Sequence, residues 1–282
     1  MSWGIISDSS CDLPSSAFAD SGLHFAAVPL KIVVGGTEYT DNDDLNVNAM
    51  LAHMKSFKGP SSSACPAPEE WAREFRKSDR TVAVTMTSAL SGTYNSALIG
   101  KNMVLEESPE KDIHVIDSHT TGGGLVLILR KLEELISAGL DFEAVVKQAE
   151  AYTRSIFLLF SCALPISYDN LVKNGRMSRI AGILASSLGI RAVASNTPEG
   201  TIRVLQKPRG EERALEVIVR TMSEWKNLAG MPVVITHCND PVGAQRLKEK
   251  IAHVCMTTKI TIMQTRGLTS FYNDNGGLMI AF

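Results

Sequence analysis

The sequence predicts an α/β protein in two parts. Residues 1–155 form a mainly parallel sheet flanked by helices, and residues 156–282 form a second α/β unit. Three observations lead there. Strand-like apolar runs alternate with helix-like runs through the first half, the pattern that lays parallel strands beneath helical covers. Apolar residues make up 44% of 282 residues but aromatics only 6%, so the core is mainly aliphatic and large enough to offset the entropy of ordering. The alternation becomes less regular after about residue 155, a length that suits one domain ending and another beginning.

The elements follow in order. Trp3 to Ser7 is a short apolar strand ending in Asp8-Ser9-Ser10, and Asp12-Leu13-Pro14 carries the signals of a helix start. His24 to Val34 reads as a second strand, turned by Gly35-Gly36 into Thr37-Glu38-Tyr39. Asn46 to Lys55 reads as a helix with Met50, Leu51 and Met54 on one face. A loop rich in Ser and Pro, Gly59 to Pro68, precedes a helix over Glu69 to Lys77. Thr81 to Thr87 alternates like a strand, Tyr94 opens a helix, and Ile113 to Asp117 is a further strand. Ser118 to Gly124 is a polar, glycine-rich turn into the amphipathic helix Leu125 to Ser137, which stops at Gly139. Asp141 to Ser155 is helical, Ile156 to Leu164 is a buried strand, and Asn170 to Ser187 holds two helical segments around Gly175-Arg176. Strands over Arg191 to Ser195, Ile202 to Gln206, Val233 to Cys238 and Lys259 to Gln264 complete the second half, with Leu278 to Phe282 closing it. Helices at Gly210 to Trp225 and Pro241 to Ala252 lie between them.

Charge and cysteine usage exclude several functions. Twenty-eight Lys and Arg stand against thirty Asp and Glu, for a net charge of −2 without a basic block, which disfavours nucleic acid as a partner. The longest uncharged stretch, Thr81 to Gly100, is rich in Thr, Ser, Asn and Gly, so no integral membrane segment is expected. The N-terminus has no basic and apolar leader pattern. Five cysteines occur without a Cys-x-x-Cys pair, and six histidines are dispersed. These features predict a cytoplasmic protein with reduced thiols, no metal site and no cofactor.

Open α/β sheets bind ligands at the carboxyl ends of their strands, where helix N-termini offer N–H groups. Three polar strand ends are candidates here: Asp8-Ser9-Ser10, Ser88 to Thr93, and Asp117 to Gly124, with the Gly59–Pro68 loop able to fold over the same edge. Hydroxyls and small residues dominate all four, a chemistry suited to a carboxylate or phosphate. Ser91 follows a strand and precedes a helix as a nucleophile does in hydrolases, with His237 the candidate base, but the surrounding Gly-x-Ser-x-Gly is missing. Asp8 and Asp117 read as capping residues more readily than as an acid pair.

Taken together and in order, several segments resemble the DegV family. They are Ile5-Ile6-Ser7-Asp8-Ser9-Ser10-Cys11-Asp12-Leu13-Pro14, Ser63-Ala64-Cys65-Pro66-Ala67-Pro68, Leu90-Ser91-Gly92-Thr93-Tyr94-Asn95-Ser96-Ala97 and Val115-Ile116-Asp117-Ser118. Asn170-Leu171, Gly175-Arg176-Met177-Ser178 and the final Gly276-Gly277-Leu278-Met279-Ile280-Ala281-Phe282 continue the likeness along the whole chain. The resemblance implies a two-domain α/β fold that encloses one long-chain fatty acid between its domains. It also implies a binding subunit, not itself an enzyme, that presents the acyl carboxylate to a separate ATP-using fatty acid kinase subunit for acyl-phosphate formation.

The resemblance also assigns residues. The family's Thr-Ser-x-Pro-Ser-Pro loop falls on Ser63 to Pro68, so Ser63 stands where a threonine hydroxyl contacts the carboxylate. Ser91 matches the serine on the other side of the head group, with the N–H groups of Gly92 and Thr93 beside it. Many members carry a His-x-Gly-x-Gly stretch near the C-terminus; here the region reads Ser270 to Gly277 without histidine, and Tyr272 takes its place. Arg176 and Arg191 match basic positions that would face the partner. Ile156 to Leu164, Ile180 to Ile190 and the methionines are candidates for the tunnel wall. The alternative is a hydrolase of acyl esters or thioesters with Ser91 as nucleophile.

Overall fold

The computed structural model describes residues 1–163, 171, 174–175, 189–256 and 259–282, and among these Trp3–Asp8, short and almost entirely buried, forms the first of thirteen strands. In chain order the strands are β1 (Trp3–Asp8), β2 (His24–Val28), β3 (Lys31–Val34), β4 (Thr37–Thr40), β5 (Ser61–Ala64), β6 (Arg80–Thr85), β7 (Asp112–Asp117) and β8 (Leu158–Ala163). They continue as β9 (Arg191–Asn196), β10 (Ile202–Gln206), β11 (Val233–His237), β12 (Ile260–Gln264) and β13 (Leu278–Ala281). The α-helices among the described residues are α1 (Val47–Ser56), α2 (Pro68–Phe75), α3 (Thr93–Glu107), α4 (Gly123–Ser137) and α5 (Phe142–Thr153), then α6 (Glu211–Trp225), α7 (Pro241–Cys255) and α8 (Gly267–Asn273).

The strands build three sheets. β2-β1-β6-β7 is a four-stranded, all-parallel sheet, as the alternation of strands and helices predicts. β10-β9-β8-β13-β11-β12 is a six-stranded sheet, antiparallel except for the pair β11–β12. β4-β3-β5 is a small antiparallel sheet.

α4 joins the two large sheets. Its run Leu125 to Leu129 is buried on all sides, and the helix packs against β1 and β6 as well as β11 and β13. One apolar core therefore runs from Ile5 and Val82 through Leu125 and Leu132 to Phe160, Val234 and Met279. Gly123 permits this seating, because a Cβ there would lie 3.1 Å from Val234 Cγ1 and 3.3 Å from the Ala281 Cβ. The far face of the six-stranded sheet has a separate core under α6 and α7, including Leu159, Leu215, Ile218, Ile235 and Leu247.

Four local expectations are corrected. The single strand expected over 24–34 is two strands in different sheets: Pro29 brings no N–H to continue a ladder, and the chain changes sheet across Pro29-Leu30. The helix expected from Asp12 is replaced by short 3₁₀ turns at Ser9–Cys11 and Ala19–Ser21, with Asp12 at φ 58° in the left-handed region. The loop over Gly59–Pro68 contains β5, whose serines pair with β3 so that Ser63 stands opposite Ile32. Finally, α8 occupies a stretch in which no helix is expected. Its opening N–H groups are satisfied from far away: Gly267 and Leu268 donate to the Asp41 carboxylate at 2.8 and 2.9 Å. Asp12 accepts from the N–H of Arg266 at 2.7 Å and from the Thr269 hydroxyl. The expected helical segments over Asn170 to Ser187 fall mostly outside the described residues.

Candidate functional site

The parallel strands β6 and β7 lead into Met86-Thr87 and His119 to Thr121, which form one wall of a cavity of about 290 Å³. The opposite wall is a face of the six-stranded sheet. Strand periodicity sets that wall: Leu158, Phe160 and Cys162 of β8 look into the cavity, while Leu159 between them packs in the core under α6 and α7. Ile202 of β10 and Met279 of β13 extend the same surface. Ser63 to Cys65, the start of α3 at Ser91-Gly92, and α8 close the remaining sides, with Leu30 and Leu171 also in the lining.

Two of the site residues expected from the sequence meet directly. The Ser63 hydroxyl and the Tyr272 phenol are hydrogen-bonded at 2.8 Å, across 209 residues of chain. β5 holds the serine through its pairing with β3, and α8 holds the tyrosine through the two buried carboxylates at its start. Ser91 and Gly92 line the same cavity, and the Cys65 sulfur lies 3.5 Å from where a Gly92 Cβ would stand. Gly92 begins α3 without a side-chain cap; the Ser91 Oγ accepts the Thr93 N–H at 3.3 Å. Thr93 itself is buried and is not in the lining, and its hydroxyl has no hydrogen-bond partner. Arg191 lies outside the lining: its Nε donates to Ser161 Oγ at 3.3 Å and its Nη2 to the Gly276 carbonyl. Arg176 falls outside the described residues.

The Asp8-Ser9-Ser10 strand end supports the site from beneath and does not line it. Asp8 accepts the Met86 N–H at 2.7 Å, which fixes the end of β6, and also accepts from Ser10. Burial pushes the Asp8 carboxyl up to about 6 against these hydrogen bonds. Burial raises Asp12 to about 7 despite donors from Arg266 and Thr269, and it raises Asp41 as well. Asp117 Oδ1 accepts from the N–H groups of Ser88 at 3.0 Å and His119 at 3.2 Å, tying the β6 and β7 loops together.

The lining among described residues contains no Lys, Arg, Asp or Glu. Its polar groups are hydroxyls, amides and His119. Three of them hold a buried atom without a hydrogen-bond partner: the Thr120 hydroxyl, the Asn273 Nδ2 and the His119 Nδ1, which lies 4.0 Å from Asp117 Oδ2. Sequence reasoning missed Asn273 and Asn196; an asparagine in a Gly- and Asn-rich stretch, or at a strand end before Thr-Pro, carries no signal beyond turn formation. His237 is not in the lining, and its Nδ1 accepts the Asp240 N–H at 3.2 Å. Among the described residues, no group of three or more His, Cys, Asp or Glu is placed to hold a metal ion, and no helix is long and apolar enough to cross a membrane. The expected wall segment Ile180 to Ile190 lies largely outside the described residues.

Fold and site define a class: an α/β chain whose two large sheets enclose a narrow, mainly aliphatic cavity edged by hydroxyl and amide groups. The family model described as an uncharacterised protein of the DegV family matches residues 2–281, and the chain belongs to that family. A DegV domain-containing protein of Streptococcus pyogenes serotype M18 is 38% identical over 282 residues, covering 100% of this chain and 99% of that protein. Among solved structures, the Streptococcus pneumoniae Fatty Acid Kinase (Fak) B3 protein loaded with linoleic acid is 37% identical, with a TM-score of 0.92 over 100% of this chain and 99% of the other. A DegV family protein from Eubacterium eligens loaded with heptadecanoic acid is 31% identical, with a TM-score of 0.92 and 99% of each chain covered.

Proposed function

We propose that this protein binds one long-chain fatty acid in the cavity between its two halves, divided near residue 155, and presents the carboxylate to a separate ATP-using kinase subunit. The observation that carries this reading is the composition of the cavity: an aliphatic wall from β8, β10 and β13 facing a Ser63–Tyr272 hydroxyl pair, with no cation in the described lining. The fatty acids held by the pneumococcal and Eubacterium relatives support it. Burying about fourteen methylenes is worth on the order of 11 kcal/mol gross, at about 0.8 per group. Immobilising the chain and desolvating the head take back much of that. The wall thus supplies affinity, and the hydroxyls supply orientation. Ser63, Ser91, Tyr272 and the Gly92 N–H receive the carboxylate, and the Thr93 N–H holds the Ser91 hydroxyl in place. Phosphoryl transfer belongs to the partner, whose docking surface takes in Arg176 and Arg191. Five N–H groups on a guanidinium leave Arg191 donors beyond those given to Ser161 and Gly276.

Native mass spectrometry of purified protein tests the reading: a co-bound fatty acid, released on denaturation, is the expected result. Repeated lipid-free preparations that also fail to take up added hexadecanoate overturn it. Incubation with ATP and a kinase subunit, trapping acyl-phosphate with hydroxylamine, tests the presentation step. The hydrolase alternative has no comparable support, since His237 lies outside the lining.

A further inference from the structure

Asn273 is the last residue of α8 and sits beside Tyr272 in the cavity lining. It is 5% exposed, and its Nδ2 has no hydrogen-bond partner. A buried donor left unmatched is costly, and native folds seldom retain one without a purpose. The carboxamide lies close against Gly277: its Cγ and Oδ1 occupy the position that a Cβ there would take, and so does the Asn273 carbonyl, so this packing requires glycine at 277.

The hydroxyls of the lining differ from it in one respect. The hydroxyls of Ser63, Tyr272 and Ser91 each donate or accept as the ligand requires. In the Ser63–Tyr272 pair either oxygen can be the donor. The Asn273 Nδ2 can only donate. A carboxylate only accepts, whereas a fatty alcohol presents a hydroxyl able to do both. We infer that Asn273 is a specificity-determining residue of this cavity, donating through Nδ2 to the ligand's head group and selecting an acceptor-only carboxylate over a neutral hydroxyl head of equal chain length. The inference rests on the fatty-acid reading above and names the group that would make that reading selective.

The test compares hexadecanoate with hexadecan-1-ol, delivered from cyclodextrin, on delipidated wild-type protein and on Asn273→Asp. The substitution keeps the shape and replaces a donor with an acceptor. Hexadecanoate binding is expected to weaken roughly 10- to 100-fold while the alcohol changes by less than about threefold, so the preference for the acid collapses. An unchanged preference, or an equal loss for both ligands, overturns the assignment, because a purely structural role acts on both alike. If Asn273→Asp does not fold, Asn273→Ala serves with the same readout and the same deciding ratio. Failure of wild-type protein to bind hexadecanoate would instead overturn the fatty-acid reading itself, which keeps the two failures apart.

Discussion

Substituting Asp12 by Asn should remove much of the pH dependence of stability between about pH 5 and pH 8. Asp12 is buried, accepts the Arg266 N–H and the Thr269 hydroxyl through one oxygen, and leaves the other oxygen unpartnered. Burial raises its carboxyl from 3.8 to about 7. The unfolded chain releases this proton near the lower value, while the folded chain keeps it until the higher one. Between the two the folded state binds more protons, so stability is full below the lower value and falls as pH rises towards 7. A shift of about three units corresponds to as much as roughly 4 kcal/mol at 1.36 kcal/mol per unit. Asn preserves the acceptor for Arg266 and Thr269, tolerates the φ of 58°, and does not titrate. Guanidinium unfolding of delipidated protein at pH 5 and pH 8 should show a fall in stability for wild type that is smaller by roughly 2–3 kcal/mol in Asp12→Asn, since about one unit of the shift lies below pH 5. The residual slope belongs to Asp8 and Asp41, whose carboxyls are also raised by burial. Identical slopes for the two proteins would refute the reasoning.

Three further outcomes are expected. Ser63→Ala and Tyr272→Phe should each weaken fatty-acid binding by about tenfold, and the double variant by less than the product, because the two hydroxyls bond each other at 2.8 Å; calorimetric titration of all four proteins checks this. Gly200→Ala should destabilise the fold by more than about 1 kcal/mol and speed ligand release, since Gly200 has φ 78° and an added Cβ would overlap the Thr87 side chain; thermal unfolding and stopped-flow displacement measure both. Glu74→Gln should flatten the acid limb of the stability curve. Burial raises the Glu74 carboxyl, but hydrogen bonds from His24 and Lys77 outweigh it and hold the group at about 2. Its contribution is thus present above pH 4.5 and lost as pH falls towards 2, which denaturation at pH 5 and pH 3 resolves.

The parallel sheet was legible because β1, β6 and β7 are apolar runs ending in polar turns, and each ending is local text. Ser91 and Gly92 were legible for the same reason: a strand end followed by a helix start places them at a sheet edge whatever the rest of the chain does. The head-group side was harder. β5 consists of three serines and an alanine, a poor strand former until β3 offers it a ladder. α8 draws its N-terminal acceptor from Asp41, 226 residues earlier, so no capping residue announces it in the neighbouring sequence. Tyr272 was placed only through the family resemblance, and Asn273 had no signal, since its distinction is an unmet donor that exists only once the walls are assembled.

The bond between Ser63 and Tyr272 has a consequence for how the protein is made. Its partners lie 209 residues apart, and α8 is anchored to carboxylates at Asp12 and Asp41 that leave the ribosome long before it does. A nascent chain can assemble much of the parallel sheet while the cavity still lacks one side. Loop closure of that span is entropically costly, so the compartment is sealed only once α8 has been made and docked. Until then, the apolar surface of β8 and β10 faces water, and a lipid arriving at that stage would find a folding surface instead of a finished receptacle. Ligand capture and the completion of folding are thus adjoining events in the life of each molecule.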